Sequence, residues 1–300
     1  MKVAFVINCR NKQDFIAMSI QGALSQTYPC EIIISDQQST DRSRAVIDAT
    51  VDALGPTHHE IRVRECQIAG SYGMKAMNDH MRWLMDQTDA EWLFQSSADD
   101  YSLPDRVKVC MEAVEKNPCS AVATTMFFLE PGQKLEGNVP VSGFPQQSGY
   151  VKAGEGLLKL AYGSTIGGYR RDFLLKVGDL GPNTPDVLLG FLAALDQGFY
   201  VVANPQHVHC THANTENTGM QGRLRGARTK RESKVLAELN HMQLFRLYKK
   251  CLDKAQELHP EGILQDHLNP LYSTLLGQAF AWIDAREVLR EEGVQPELNA

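Results

Sequence analysis

The sequence lacks the features that mark several common classes of protein. Its seven cysteines are scattered without a Cys-x-x-Cys pair, and the odd count favours reduced thiols over a disulfide framework. The net charge is −6, so no overall positive field attracts nucleic acid or an anionic membrane. No apolar run reaches the length of a transmembrane helix, and the first one, Val3–Ile7, is too short for a signal peptide. We therefore expect a soluble, cytoplasmic protein.

Short apolar runs alternate with helix-like segments along the first hundred residues. Val3–Ile7, Glu31–Asp36, Ile61–Arg64 and Trp92–Phe94 have the composition of strands, and the segments between them carry apolar residues at helical spacing. Hydrophobic residues make up 43% of the 300 residues, which is enough for a sizeable core. Such alternation predicts right-handed βαβ units, and therefore a mostly parallel central sheet flanked by helices.

Polar side chains follow three of these predicted strands. Asn8, Asp36 and the adjacent pair Asp99 and Asp100 all come where a strand ends. Ligands of open α/β sheets bind at this carboxyl edge. Carboxylates placed there suit a hard cation such as Mg²⁺ or Mn²⁺, which fills its remaining coordination positions with water and phosphate. The sequence thus predicts a metal-assisted site for a nucleotide diphosphate.

The second half of the chain carries a different pattern. Ala121–Leu129 and Phe199–Ala203 are predicted strands, and Asp186–Gln197 is a predicted helix. Two long amphipathic helices are expected at Lys230–Leu258 and His267–Glu292. We expect an α/β domain over residues 1–222, with two halves (1–105 and 106–222), followed by a helical tail over 223–300. The tail could pack on the domain, form a homodimer or lie on a membrane surface, although its acidic residues argue against an anionic bilayer.

The motifs of residues 1–105 resemble, in order, those of the GT-A glycosyltransferases of family 2. The matching segments are Val6–Asn11, Ala23–Pro29 (Ser-Val-Leu-x-Gln-Thr-Tyr-Pro in the family), Ile33–Asp41 (Val-Val-Asp-Asp-Gly-Ser-Thr-Asp), Gly70–Asn78 and Ser97–Asp100 (Asp-Ala-Asp-Asp). A fainter likeness continues to about residue 217. The resemblance implies a GT-A, Rossmann-like fold and an inverting enzyme. Such an enzyme transfers a hexosyl or pentosyl group from a nucleotide sugar, commonly UDP-linked, to a hydroxyl.

The resemblance makes 1–222 a nucleotide-sugar-dependent glycosyltransferase domain, with 1–105 as its donor-binding half and 106–222 as its acceptor half. It also implies roles for individual residues. Asp186 matches the general base, and Asp99 matches the ligand of Mn²⁺ or Mg²⁺, with His212 as a further metal or diphosphate contact. The remaining donor-binding candidates are Asn8, Arg10, Asp36, Lys75, Asn78, Ser97, Asp100 and Arg223. Asp36 would accept a hydrogen bond from the base of the nucleotide.

Several positions depart from the family pattern and keep other functions open. Ser97 and Gln37 stand where the family has aspartate, and Pro185 precedes Asp186 where an acid is usual. These changes would suit a catalytically inactive nucleotide-sugar binding or scaffold module. A nucleotidyltransferase is the other alternative. It would normally carry a glycine-rich phosphate loop after the first strand, and the turn after Ile7 has no glycine.

Two further clusters allow more than one interpretation. His207, His209, Cys210 and His212 could bind zinc, but the sequence has no second cluster to complete a four-ligand site. The basic run Arg223–Arg231 is a solvated linker, a loop over the diphosphate or a patch for a phosphorylated acceptor. The acceptor itself is open among glycan, lipid carrier, protein and modified nucleic acid.

Overall fold

The computed structural model describes residues 1–54, 59–66, 74–129, 145–151, 167–178, 186–210, 249 and 252–262; for residues 74–79, 81, 186 and 187 it describes the backbone only. The chain divides into two compact units, Met1–Cys210 and Thr211–Ala300. The predicted domain boundary at residue 222 stays a prediction. Of the two predicted C-terminal helices, residues 252–258 are helical, and His267–Glu292 lies outside the described residues.

Nine strands of the described part join one sheet. They are β1 (Val3–Cys9), β2 (Glu31–Asp36), β3 (Glu60–Glu65), β4 (Trp92–Ser97), β5 (Tyr101–Ser102), β6 (Ala121–Leu129), β7 (Gly149–Val151), β8 (Gly167–Arg170) and β9 (Phe199–Cys210). The helices with the sheet unit are α1 (Ile16–Leu24), α2 (Ser43–Asp52), α3 (Met74–Gln87), α4 (Arg106–Lys116), α5 (Arg171–Val177) and α6 (Asp186–Leu195).

The sheet runs in the order β3-β2-β1-β4-β8-β6-β9-β5, and β7 pairs with β9. β3, β2, β1 and β4 are mutually parallel, and β6 is parallel to β9. β8 lies antiparallel between β4 and β6. The predicted mostly parallel sheet flanked by helices is therefore confirmed. Among the described residues, no helix is long and apolar enough to cross a membrane.

The centre of the sheet is apolar on both faces. Phe5 and Ile7 of β1 and Phe94 of β4 are fully buried, as expected for parallel strands covered by helices. β8 can pair with β4 because residue 168 is glycine. A Cβ atom there would lie 2.7 Å from the Phe94 ring. This close approach explains why glycine occupies position 168.

Local contacts account for the bounds of two elements. Helix α1 begins at Ile16, because the Lys12 carbonyl closes a turn by accepting from the amides of Phe15 and Ile16. Strand β9 runs from Phe199 to Cys210 without the break expected after Ala203. Its pairing with β6 shifts register at Thr125, which lies opposite Pro205, and this irregularity takes up the proline within one long strand.

Candidate active site

The ends of three parallel strands bring the predicted polar residues to one edge. Asn8 on β1 is in register with Ser35 on one side and Ser97 on the other, and Asp36 pairs with Cys9. The Asn8 amide nitrogen donates to Gln95 Oε1 over 3.2 Å. Its Oδ1 atom is buried and has no hydrogen-bond partner. The edge therefore carries an unused acceptor beside the end of β4.

Asp99 and Asp100 lie in a tight turn between β4 and β5. The amide of Ala98 donates to the Asn8 carbonyl, and the amide of Asp100 donates to the Ser97 carbonyl over 3.2 Å. β5 then pairs with β9 in antiparallel register, with Ser102 opposite His207. This pairing brings residues more than a hundred positions later onto the aspartate turn.

Asp100 is held in a buried pocket by two imidazoles. His207 Nε2 lies 3.1 Å from Asp100 Oδ2, and His209 Nδ1 lies 2.9 Å from Asp100 Oδ1. The Cys210 amide also donates to Oδ1, over 3.2 Å. The Asp100 side chain is 1% exposed and that of His209 is 18% exposed. Donor groups of β9 therefore surround the Asp100 carboxylate on both oxygens.

The charges of this cluster depend on one another. Burial alone would raise the pKa of Asp100, but the hydrogen bonds and charges of His207 and His209 hold it below its usual range. Burial opposes protonation of His209, and the bond to Asp100 outweighs it, so its pKa is raised. For His207 burial prevails, and the pKa is lowered. The pair Asp100 and His209 thus favours the charged form of both partners.

The same cluster offers suitable donors for a divalent ion. Ligand atoms of Asp100, His207 and His209 all lie within 4.8 Å of one another. His207 Nδ1 and His209 Nε2 are buried without a hydrogen-bond partner. Carboxylate oxygens and imidazole nitrogens are ligands that Mn²⁺ and Zn²⁺ accept. The residues present therefore fit a metal ion, with Asp99 next to them on the turn.

Asp99 pairs with a lysine rather than with the imidazoles. The Lys12 ammonium, from the loop between β1 and α1, lies 2.6 Å from Asp99 Oδ2. The two side chains are 23% and 10% exposed. The turn thus carries two carboxylates in different surroundings, one among imidazoles and the other against an ammonium group.

Asp36 lies where the loops after β1 and β2 meet. Its Oδ1 accepts from the Ser39 amide over 3.1 Å, and the residue is 4% exposed. Asn11 joins the two loops, because its Oδ1 accepts from the Thr40 amide over 2.7 Å. Asn11 has a backbone φ of 51°, in the left-handed region that asparagine tolerates. These side-chain to backbone hydrogen bonds therefore fix the loop that follows Asp36.

A comparison with protein families identifies the chain. The model of "Glycosyl transferase family 2" matches residues 4–173, more than half of its length. The chain belongs to this family. It is a glycosyltransferase, and the resemblance drawn from its motifs is confirmed.

Solved structures share the fold of this glycosyltransferase at low sequence identity. S. aureus TarS (residues 1–349) in complex with UDP is 14% identical with a TM-score of 0.57, over 97% of this chain and 92% of the other. TarS in complex with UDP-GlcNAc is 15% identical with a TM-score of 0.55, over 95% and 79%. The mannosyltransferase PcManGT from Pyrobaculum calidifontis, with GDP-Man and Mn²⁺, is 13% identical with a TM-score of 0.52, over 97% and 79%. The predicted GT-A fold is confirmed.

A buried arginine supports the aspartate turn of the glycosyltransferase from below. Arg106 donates to Ser102 Oγ over 2.8 Å and to the Gln95 carbonyl over 2.6 Å, and its guanidinium lies 5.4 Å from the centre of the Phe5 ring. Burial lowers the pKa of Arg106 to about 10, with Cys110 and Asp100 acting in the opposite direction. The group stays charged at neutral pH and connects β4 to β5 across the turn.

Some predicted site residues lie outside the described part. His212 and Arg223 are among them, as are the side chains of Lys75, Asn78 and Asp186; Asp186 itself is the first residue of α6. Lys12 and Arg106 were not predicted as site residues. The sequence indicates His207 and His209 only as possible zinc ligands. Their spacing of two residues, which places both on one face of a strand, was the signal for a shared site. Their partner Asp100 could not be identified without the pairing of β5 with β9.

Proposed function

We propose that this glycosyltransferase moves a sugar from a nucleotide sugar, UDP-linked, to an acceptor hydroxyl, with a divalent ion and inversion at the sugar carbon. The observation that carries the proposal is the convergence of Asn8, Asp36 and the Asp99–Asp100 turn on one carboxyl edge, opposite the two imidazoles of β9. An edge of this kind is where α/β sheets bind nucleotides.

The nucleotide part of the donor would lie over the ends of β1 and β2. Asp36 is the acceptor proposed for the base, and its loop is fixed by the contacts of Ser39 and Asn11. TarS binds UDP and UDP-GlcNAc, and PcManGT binds GDP-Man, on the same fold. These complexes support a nucleotide-sugar donor. The choice of UDP rests on the motif resemblance.

Asp99, Asp100, His207 and His209 would hold the divalent ion, with His212 as a further candidate. The ion would act as a Lewis acid that stabilises the negative charge of the departing nucleoside diphosphate. PcManGT carries Mn²⁺ with its donor, which supports this assignment. The residues themselves keep the site partly dry, since His207 and Asp100 are buried. Charge stabilisation is stronger in such surroundings than in water.

Asp186 is proposed as the base that takes the proton of the acceptor hydroxyl. Its backbone begins α6, a helix whose residues Leu188, Phe191 and Leu192 are buried and so fix its orientation. Inversion requires the acceptor to attack from the face opposite the departing diphosphate. A single base on that side completes such a reaction.

The proposal is tested by measuring sugar transfer and donor hydrolysis with a panel of UDP- and GDP-sugars. Each activity is measured in the presence of Mn²⁺ and in the presence of EDTA. We expect turnover with one UDP-sugar and an inverted anomeric configuration in the product by NMR. Asp186→Asn should spare binding of UDP and slow transfer on the order of 10²-fold or more. Asp52→Asn, which changes an exposed carboxylate at the C-terminal end of α2, is the matched control. Binding of UDP without any turnover would favour an inactive binding module instead.

A further inference from the structure

The contact between Lys12 and Asp99 places a cation of the protein on a carboxylate that the proposed function gives to a metal ion. Lys12 Nζ lies 2.6 Å from Asp99 Oδ2, within the normal range of a charge-assisted hydrogen bond. Both side chains are mostly buried, so water screens the pair less than it would on the surface. Lys12 is therefore part of the candidate active site.

The backbone of Lys12 is fixed on both sides, while its long side chain keeps rotatable bonds. The Lys12 amide donates to Ser43 Oγ over 2.7 Å, and its carbonyl accepts from Phe15 over 3.0 Å and from Ile16 over 2.9 Å. The ammonium group can thus move by rotation of its stem without any change in the loop. Lysine is a compact point charge that suits phosphate oxygens as well as carboxylates.

A divalent ion and an ammonium group compete for one carboxylate, because each lowers the negative charge that attracts the other. A bound diphosphate changes the balance, since it offers the ammonium group a second anionic partner in the same site. We propose that Lys12 couples the two binding events: it neutralises Asp99 in the free enzyme and turns to the diphosphate when donor and metal bind. This inference rests on the proposed function and adds a residue that the family motifs did not indicate.

Because thermodynamic coupling is reciprocal, the affinity of the enzyme for Mn²⁺, measured with and without UDP, reports on the role of Lys12. Mn²⁺ should bind the free wild-type enzyme weakly, and UDP should tighten Mn²⁺ by the same factor by which Mn²⁺ tightens UDP. Lys12→Met removes the competing charge and keeps the apolar stem. It should tighten Mn²⁺ binding in the absence of nucleotide by at least about fivefold and reduce the coupling factor.

The experiment is a titration of the full chain with Mn²⁺ alone, UDP alone and each in the presence of the other, followed by calorimetry and by the EPR signal of free Mn²⁺. Lys12→Arg keeps the positive charge and should retain most of the coupling. Lys108→Met is the matched control, because it removes the same charge from an exposed position of α4. Lys108→Met should bind Mn²⁺ and UDP with the affinities and the coupling of the wild type. Circular dichroism establishes that each variant is folded.

Equal or weaker binding of Mn²⁺ to Lys12→Met than to the wild type would overturn the proposal. Independent binding of Mn²⁺ and UDP to the wild type would also overturn it, without any variant. Absence of Mn²⁺ binding in both proteins would do the same. The glycosyl-transfer reaction is followed in a separate assay. A wild type that couples Mn²⁺ and UDP but transfers no sugar would contradict the proposed reaction and leave the role of Lys12 supported.

Discussion

His80 lies beneath the end of β2, where its Nε2 atom is 2.6 Å from the Ser35 hydroxyl. The ring is buried and stacks on Trp83 with 5.6 Å between centroids. Burial lowers the pKa of His80 to about 3, because the charged form would lose its hydration. The folded protein thus holds this residue neutral over a pH range in which an unfolded chain would protonate it.

This difference makes the free energy of unfolding depend on pH. The folded pKa is below the unfolded one, so the contribution of His80 is fully present above about pH 6.5 and is lost as the pH falls towards the folded pKa. The slope should approach 1.4 kcal/mol per pH unit at about pH 5. His80→Gln, which keeps a group for Ser35, should lose less stability between about pH 7.5 and pH 5 in denaturant unfolding. An unchanged pH dependence would mean that His80 is not held neutral.

The two carboxylates of the turn provide a matched pair of substitutions. Asp100→Asn removes a buried anion between two imidazoles and should lower the free energy of unfolding by about 3 kcal/mol. Asp99→Asn leaves Lys12 without its carboxylate partner, but this pair is less buried than Asp100 and its imidazoles, so the substitution should cost less than Asp100→Asn. It should nevertheless abolish Mn²⁺-dependent binding of UDP in a calorimetric titration. Wild-type affinity in Asp99→Asn would remove Asp99 from the proposed metal site.

Helix α1 packs against the end of the Asp99–Asp100 turn through a close approach of Gly22 to Ser102. A Cβ atom there would lie 2.9 Å from the Ser102 amide nitrogen and 3.0 Å from its carbonyl oxygen. The colliding atoms belong to backbone, which cannot rotate away. Gly22→Ala should therefore lower the free energy of unfolding by about 1–3 kcal/mol, although alanine favours helices.

Gln21→Ala, at the exposed neighbouring position of the same helix, is the control and should leave stability nearly unchanged. Thermal and denaturant unfolding of both variants measure the difference. Because α1 contacts β5, Gly22→Ala should also weaken binding of UDP with Mn²⁺ by displacing the aspartate turn. Equal stability of the two variants would contradict the close approach.

Local pattern was enough to predict β1, β2 and β4, because each is a short apolar run that ends in a polar residue. It therefore also predicted which edge of the sheet carries Asn8, Asp36 and the aspartate turn. Local pattern could not predict the neighbours of Asp100. They depend on β5, two residues long, pairing with the far end of β9. Sequence periodicity carries no information on that long-range register.

Nor could the sequence indicate that Lys12 points at Asp99 rather than at solvent. Lysine after a polar turn is ordinary surface composition, and only the close packing of the β1–α1 loop against the aspartate turn gives it a partner. The same limit applies to Arg106, because an arginine in the first turn of a helix is ordinary surface composition. Both are cations whose function follows from burial, and burial is a property of the folded chain.

The chain has two compact units, and the described residues of the candidate site lie in the first of them. Every described residue assigned to donor or metal lies within Met1–Cys210. Ligands that bind only the folded state stabilise it by mass action, by about 2.7 kcal/mol at a hundred times the dissociation constant. UDP and Mn²⁺ together should therefore raise the unfolding temperature of this unit more than either alone, and EDTA should cancel the effect of the metal.

Tryptophan fluorescence can assign that shift to the unit that contains the site. Two of the three tryptophans, Trp83 and Trp92, belong to Met1–Cys210, and the third, Trp282, belongs to Thr211–Ala300. In Trp282→Phe the signal comes from the first unit alone, and its transition should move to higher temperature with UDP and Mn²⁺. A shift in the intact protein that is missing in Trp282→Phe would place ligand binding elsewhere than on the Asp99–Asp100 turn. A retained shift that Asp99→Asn abolishes would tie the stabilisation to that turn.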